Sequence, residues 1–313
     1  MDYLFLLQQF REGYGAFLIP VMVIISEIAY YVAPVIVAVV YWAFDKRLGT
    51  YMMLNTFGGS MLSHTIKLTA CVNRPWIRDS RLHIASAVQK SSSGYSFPSG
   101  HTTMAATTYG TLALHMKKKK AIVIALMCMI LLTAFARNFL GAHTLEDVLA
   151  AIVLSFVVIF ANSFIMKKLD ENPKFDLVVL IGGILICIVV VLYIFLKNYP
   201  MDVNEAGELL VDPLRMRLDG IEAAGFLGGG IIGWFIERRF INFEIPTQKK
   251  EKIVRIVVGI ACFAILYLWV LKLLEKVMLI EIAKFLKCFI TVFFATAIYP
   301  AGIKFFTNRK KSS

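Results

Sequence analysis

The sequence predicts an all-α fold, a polytopic membrane helix bundle with about nine transmembrane helices. Of its 313 residues, 58% are hydrophobic, and the mean hydropathy is +0.72. A soluble domain of this length carries more charge and does not gather its apolar residues into blocks of about twenty. A helix rises about 1.5 Å per residue and the hydrocarbon layer is about 30 Å thick, so blocks of this length suit transmembrane helices. A membrane β-barrel would instead show alternating segments of about ten residues.

Nine apolar blocks of helix length follow one another along the chain. They run at residues 25–44, 50–70, 99–116, 121–137, 145–166, 176–196, 220–236, 253–271 and 281–303. The stretch before them, residues 1–24, places apolar side chains such as Leu6 and Phe10 on one helix face, and we expect it to form an interfacial helix. In the seventh block, glycines recur at every fourth position from Gly225 to Gly233, which predicts that a neighbouring helix approaches closely there.

The formal net charge of +12 reflects membrane topology. Basic residues are concentrated in short loops on alternate sides of successive blocks, as the positive-inside rule expects of cytoplasmic loops. The basic loops contain Lys46 and Arg47, Lys117 to Lys120, Lys167 to Lys174, Arg238 to Lys252, and Arg309 to Lys311. We therefore expect an integral, multi-pass protein of a bacterial-type plasma membrane. Its N-terminus would lie outside and its C-terminus inside, and we expect no nucleic-acid partner.

Three polar clusters interrupt the apolar blocks at what this topology makes a single membrane face. The first, KLTACVNRP, places Lys67 and Arg74 at the outer end of the second block. The second, PSGH over residues 98–101, opens the third block, and the third, ARNFLGAHTLED over residues 136–147, joins the fourth block to the fifth. Because successive blocks alternate in direction, we expect all three clusters to lie outside at a similar depth.

The side chains of these clusters suit a phosphoryl group. Lys67, Arg74 and Arg137 supply positive charge, and arginine binds phosphate oxygens in a bidentate manner. The start of the third block offers unpaired backbone N–H groups and a partial positive charge. Ser99 can cap that helix start, while Gly100 lets an anion approach the backbone.

Two histidines allow chemistry on that phosphoryl group. His143 and Asp147 lie four residues apart, so on a helix they share a face and the carboxylate can hold the proton of one ring nitrogen. The other nitrogen is then free to attack, in the manner of a base oriented by an acid. His101 can donate a proton to the leaving oxygen. This division of roles is a mechanistic hypothesis drawn from the residues alone.

Together, the three clusters resemble the signature of the type 2 phosphatidic acid phosphatases, also called lipid phosphate phosphatases. The shared patterns are Lys67-x6-Arg74-Pro75, PSGH at residues 98–101, and Arg137-x5-His143-x3-Asp147. Three blocks in order, with the spacing of the family, are far more specific than one short motif. The superfamily also includes glucose-6-phosphatases, undecaprenyl diphosphate phosphatases and vanadium haloperoxidases. Its third block begins with serine, where this chain has Ala136.

This resemblance covers a six-helix phosphatase core over residues 25–196, and we expect the apolar blocks after it to form a C-terminal transmembrane extension over residues 197–313. It implies that His143 attacks phosphorus, that Asp147 orients His143 and that His101 protonates the departing alkoxide. The residues implied to bind the phosphate are Lys67, Arg74, Arg137, Ser99 and Gly100. No metal or other cofactor is expected, because fixed cations neutralise the phosphate charge. The expected reaction is hydrolysis of a membrane lipid phosphate or diphosphate through a phosphohistidine at the extracytoplasmic face.

Other functions are compatible with the same residues. The chemistry suits a soluble or isoprenoid phosphate as well, and it also suits transfer of the phosphate to an alcohol instead of water. A transporter or receptor could use the same cations to bind an anionic lipid without turnover. A hydrolase that binds a metal ion through His101 and His143 is a further alternative. Glu27 and Glu222, near the outer ends of their blocks, are interpreted as residues that snorkel to the interface.

Overall fold

A computed structural model describes residues 1–312 of the chain and confirms the predicted all-α, polytopic helix bundle. In chain order the helices are α1 (Asp2–Ala43), α2 (Lys46–Ala70), α3 (Pro75–Arg78), α4 (Ser86–Gln89), α5 (Gly100–His115), α6 (Lys120–Phe139), α7 (Leu145–Glu171), α8 (Asp176–Leu196), α9 (Pro213–Ile236), α10 (Lys249–Ile265), α11 (Leu271–Val277), α12 (Ile280–Phe293) and α13 (Tyr299–Ser312). Three π-helical turns, Glu237–Ile241, Leu266–Val270 and Phe294–Ile298, extend or join these helices.

Six segments of the described residues are long and apolar enough to cross a membrane. They are Phe17–Ala43, Lys120–Phe139, Leu145–Glu171, Pro173–Leu196, Lys249–Val277 and Ile280–Arg309. The three remaining predicted blocks coincide with α2, α5 and α9, so the count of nine spans stays a prediction. Helix α1 runs unbroken across residue 24. The partition into an interfacial helix, a core and an extension therefore also stays a prediction.

Helix α5 is short and polar, and its burial accounts for the polar side chains. It has 16 residues, and its five threonines are all buried. The hydroxyls of Thr103, Thr107 and Thr111 each donate to the carbonyl oxygen four residues earlier. A buried hydroxyl needs such a partner, and a carbonyl of its own helix supplies one without water. Protein therefore surrounds this helix on most sides.

The chain folds into two compact units. The first comprises residues 1–33, 59–160 and 196–220, and the second comprises residues 34–58, 161–195 and 221–313. All three polar clusters singled out by the sequence lie in the first unit.

In the first unit, the N-terminal part of α1 is hydrogen-bonded to the end of α6 and to the loop that contains His83. Arg11 donates hydrogen bonds to the carbonyl oxygens of His83 and Phe139. After α6 ends, Gly141 adopts a positive φ of 73°, and a Cβ atom at this position would lie 2.9 Å from the carbonyl oxygen of His83. Glycine is therefore required at the turn that leads from α6 to His143.

In the second unit, buried acidic side chains are paired with basic ones. Glu237 is 1% exposed and accepts hydrogen bonds from Lys46 at 2.6 Å and from the Tyr41 hydroxyl at 2.9 Å. Asp176, also 1% exposed, accepts two from Arg239 at 2.5 and 2.6 Å. Because a buried charge that loses its partner is strongly destabilising, these pairs favour one arrangement of the segments that carry them.

The glycines of α9 allow close helix packing, as the sequence predicted. A Cβ atom at Gly225 would lie 2.6 Å from the carbonyl oxygen of Phe285, and one at Gly229 would lie 2.1 Å from that of Phe289. Such separations are far below van der Waals contact, so α9 and α12 approach each other where α9 has no side chain.

Replacing Gly229 with alanine should destabilise the second unit. The new methyl group would overlap the Phe289 carbonyl, and overpacking of this kind costs about 1–3 kcal/mol. Gly182→Ala on α8 is the matched control, because a Cβ atom there meets nothing within 4 Å. Thermal unfolding of the purified protein in detergent measures the effect. Equal melting temperatures for the two variants would contradict the packing described.

Candidate active site

The start of α5 forms one wall of the candidate site. Ser99 caps the helix, and its hydroxyl oxygen accepts hydrogen bonds from the Thr102 backbone N–H at 3.4 Å and the Thr102 hydroxyl at 3.0 Å. The Ser99 backbone N–H donates to the backbone carbonyl of Asp147 at 3.1 Å. A Cβ atom at Gly100 would meet nothing within 4 Å. The helix start therefore has open space beside it, which suits an anion.

His143 and Asp147 lie together as the sequence predicted. Nδ1 of His143 is 3.3 Å from Oδ2 of Asp147, and Nε2 is 2.8 Å from Nη1 of Arg74. A guanidinium can only donate hydrogen bonds. Nε2 therefore carries the lone pair, and Nδ1 carries the proton that faces the carboxylate. This is the tautomer that a histidine nucleophile requires.

Two residues that the sequence analysis missed complete the surroundings of Asp147. The Ser96 hydroxyl donates to Oδ2 of Asp147, and the Thr144 backbone N–H donates to the same oxygen at 2.8 Å. In return, the Thr144 hydroxyl accepts from the Asp147 backbone N–H at 3.4 Å, which makes a capping box at the start of α7. A polar residue three positions before Asp147 was the available signal for Thr144. Ser96 gave no comparable signal, because its contact joins residues 51 positions apart.

The three cations of the sequence motif are all buried and are held by uncharged groups. Lys67 donates to the carbonyl oxygens of Tyr95, Ser96 and Pro98 at 2.8, 3.0 and 2.8 Å. Its hydrogen bonds thus shape the loop before α5, and its direct contact with phosphate stays a prediction. Arg74 donates to the carbonyl oxygens of Gly94 and Ala142 at 2.7 and 2.8 Å.

Arg137 is fully buried and reaches hydroxyl groups on two other segments. Its Nη1 donates to Ser26 of α1 at 3.0 Å and its Nη2 donates to Ser92 at 2.9 Å. Its Nε is buried without a hydrogen-bond partner. A buried N–H that lacks a partner is costly in free energy, and an incoming oxygen anion would satisfy it.

Burial among cations keeps His143 neutral. Desolvation, together with the charges of Arg74, Arg137 and Lys67, holds the pKa of the His143 imidazole well below its usual value of 6.5. Desolvation also lowers the pKa of the Arg74 guanidinium to about 9, and the charge of Arg137 adds to this effect. At neutral pH, Arg74 is therefore charged while His143 is an uncharged base.

His101 lies within the electrostatic reach of His143. Its ring stacks on that of Tyr30 with centroids 4.6 Å apart, and its Nε2 lies 3.5 Å from Oε1 of Glu27. Glu27, interpreted from the sequence as a residue that snorkels, therefore contacts one of the predicted site residues. Glu222, by contrast, is paired with Lys284 at 3.0 Å in the second unit.

The first two turns of α9 add charged residues near the site. The charges of Arg215 and Asp219 act on Arg74, although the sequence analysis gave these residues no role. A further histidine, His64, lies apart from these groups. His64 bonds the carbonyl oxygen of Ser60 on its own helix, with its Nδ1 at 2.9 Å.

Within residues 1–312, no group of three or more His, Cys, Asp or Glu side chains is arranged to hold a metal ion. Metal independence stays a prediction.

Comparisons with known proteins match two ranges of the chain. Residues 47–171 match the family described as PAP2 superfamily, and residues 221–309 match the family described as PAP2 superfamily phosphatase, transmembrane extension. Phosphatidylglycerophosphatase B of Bacillus subtilis (strain 168) is 29% identical over 170 residues, which are 52% of this chain and 72% of that protein. No solved structure matches. All eight site residues predicted from the sequence lie within the first matched range, whereas α1 lies before it.

Replacing Ser96 with alanine should lower kcat for phosphate release by about 10-fold to 100-fold. The variant removes one hydrogen bond to a charged carboxylate, and such a bond contributes about 1.5–3 kcal/mol. KM should change little, because Ser96 contacts the pair of His143 and Asp147. Ser91→Ala is the control, since that hydroxyl bonds the carbonyl oxygen of Val88 in the same loop. An unchanged kcat for Ser96→Ala would show that the bond does not support His143.

In the substrate-free protein, the His143 imidazole should gain its second proton only at a pH well below 6.5. Desolvation and nearby cations disfavour the charged ring, so the neutral form persists as the pH falls through 6.5. NMR of the histidine-labelled protein in detergent measures the titration, with the His143 signal identified by its loss in His143→Ala. A midpoint at or above 6.5 would contradict the burial of the ring among cations.

Proposed function

We propose, from the premise that the chain belongs to the PAP2 superfamily, that it is a membrane phosphatase that hydrolyses a lipid phosphate or diphosphate. In this proposal the reaction passes through a phosphohistidine and takes place at the extracytoplasmic face. The observation that carries it is the geometry of His143. Nδ1 faces Asp147, and the free lone pair of Nε2 meets Arg74, which is a phosphate-binding side chain.

In the first step, Nε2 of His143 attacks phosphorus. A phosphorus–nitrogen bond forms while the bond between phosphorus and the leaving oxygen breaks, and His101 gives that oxygen a proton so that it departs as an alcohol. Asp147 stabilises the positive charge that develops on the His143 ring. Arg74 must turn from Nε2 toward the phosphate oxygens as the substrate enters. The Nε2 lone pair that accepts from Arg74 in the free protein is the one that must attack phosphorus.

In the second step, water attacks the phosphohistidine. The phosphorus–nitrogen bond breaks, and the neutral His101 takes a proton from the attacking water, which returns both histidines to their starting states. Inorganic phosphate is the product. If an alcohol replaced water, the same step would transfer the phosphate instead, and product analysis distinguishes the two.

The cluster of cations accounts for the preference for phosphate. The hydrogen-bond partners of Lys67, Arg74 and Arg137 named above are carbonyl and hydroxyl groups and an imidazole, so none of these partners is a carboxylate. A phosphate dianion supplies the opposite charge, and its oxygens meet donors that are already fixed. The fixed cations take the role that a metal ion plays in other phosphoryl-transfer sites.

A lipid is the substrate class that fits a site built into membrane helices. The similarity to phosphatidylglycerophosphatase B makes phosphatidylglycerol phosphate the first lipid to test. The alternation of basic loops places the site on the outer face under the positive-inside rule. Undecaprenyl diphosphate and phosphatidic acid are further candidates of the same chemistry.

Replacing His143 with alanine should abolish phosphate release, with a loss of at least about 10³-fold, because no nucleophile remains. His64→Ala is the matched control, since that imidazole bonds its own helix. Purified protein is assayed against phosphatidylglycerol phosphate, phosphatidic acid, undecaprenyl diphosphate and a hexose phosphate. Labelled phosphate should be trapped on the wild-type protein and not on His143→Ala.

Three outcomes would overturn parts of this proposal. Lipid binding without turnover in the wild type would indicate a binder or transporter. Comparable rates on the hexose phosphate would indicate a soluble substrate. Loss of activity with a chelator, which we do not expect, would indicate a metal-dependent reaction.

A further inference from the structure

Helix α1 contributes three side chains, within little more than one helical turn, to a site whose matched family range begins only at residue 47. Ser26 is fully buried and accepts a hydrogen bond from Arg137. Glu27 and Tyr30 both contact His101. Residues three apart on a helix share a face, so one face of α1 presents a carboxylate and an aromatic ring to the same imidazole.

From this arrangement we propose that Glu27 is a positioning residue for His101, with Tyr30 fixing the ring plane. The proposal rests on the proposed function, in which His101 protonates the leaving oxygen. Oε1 of Glu27 lies 3.5 Å from Nε2 of His101, and the Tyr30 ring is stacked 4.6 Å away at 30°. Stacking restricts rotation of the imidazole. The negative charge of Glu27 favours a proton on Nε2, the ring nitrogen that it faces. Nδ1 of His101 is then the atom that donates the proton to the leaving oxygen.

The charges around His101 explain why such a carboxylate is needed. Burial and the charges of Arg137 and Arg74 oppose a positive charge on the ring, yet a general acid must carry its proton when substrate is bound. Glu27 supplies the opposite charge at Nε2. The Tyr30 ring face adds an attraction for a cation. Without Glu27, the cations proposed to bind phosphate would disfavour the protonated form of His101 that the leaving oxygen requires.

Snorkelling alone does not account for Glu27. Its side chain is only 26% exposed, and a carboxylate within a membrane helix is costly unless it has a partner. Its Oε1 lies 3.5 Å from the buried Nε2 of His101, an atom that has no hydrogen-bond partner within the described residues. The imidazole therefore gives the carboxylate a polar neighbour, and the carboxylate gives the buried ring nitrogen an acceptor.

Leaving-group dependence tests this role. An alkyl phosphate such as phosphatidic acid needs a proton on its departing oxygen, whereas p-nitrophenyl phosphate releases a stable phenolate without one. Glu27→Gln keeps the shape of the side chain and removes its charge. We expect it to lower kcat on phosphatidic acid by about 10-fold to 100-fold, within the range of general acid catalysis, and to lower kcat on p-nitrophenyl phosphate less than about threefold.

Two further variants separate positioning from a structural effect. His101→Ala should show the same selectivity between the two substrates, and the double variant Glu27→Gln with His101→Ala should lose no more than His101→Ala alone. Glu222→Gln is the matched control, because that glutamate pairs with Lys284 in the second unit. It should leave both rates unchanged. Glu27→Asp, which keeps the charge, should recover part of the loss on phosphatidic acid.

Equal losses on both substrates, or losses that add in the double variant, would overturn the role of Glu27. These results are distinguishable from failure of the proposed function. If His143→Ala retained phosphate release, the phosphohistidine mechanism itself would fail. If His143→Ala were inactive while Glu27→Gln kept its full rate on phosphatidic acid, only the assignment of Glu27 would fail.

Discussion

The site depends above all on one oxygen atom, Oδ2 of Asp147. It receives hydrogen bonds from the Ser96 hydroxyl, the His143 ring and the Thr144 backbone. The backbone carbonyl of Asp147 also holds the Ser99 N–H. One residue thus joins the loop before α5 to the start of α7 and sets the tautomer of His143, the proposed nucleophile. Because the capping box and the proposed catalytic pair share the same carboxylate, a change at Asp147 would affect both the local fold and the proposed chemistry.

A second constraint is the cost of burying positive charge. The site solves it with neutral dipoles, since Lys67 is surrounded by three backbone carbonyls and Arg137 by two serine hydroxyls. A carboxylate partner would have stabilised each cation more simply, but it would also have cancelled the charge that attracts phosphate. Burying these cations together costs free energy, and a phosphate dianion that enters the site would offset this cost through its opposite charge. Burial away from water also lowers the pKa of the His143 imidazole, so Nε2 carries no proton at neutral pH.

The polar character of the interior helix follows from these requirements. Helix α5 must begin with a serine cap and a glycine beside open space, and it continues with threonines that satisfy one another's backbone oxygens. The helix is buried against its neighbours, and Ser63 of α2 and Ser155 of α7 both contact Thr103. Hydropathy alone therefore does not decide whether α5 is a membrane segment, because a helix enclosed by protein does not need to be apolar on its surface.

The sequence by itself determined the all-α class, the three polar clusters and the pairing of His143 with Asp147, because these follow from composition and from short spacings along the chain. The close approach at Gly229 was likewise predictable from a local repeat. Only the tertiary structure decided that Ser96 bonds Asp147, that Lys67 holds the loop before α5 and that Glu27 faces His101. Each of these contacts joins segments far apart in the chain. Local periodicity carries no information about which distant residue fills the space beside a given side chain, and packing alone makes that choice.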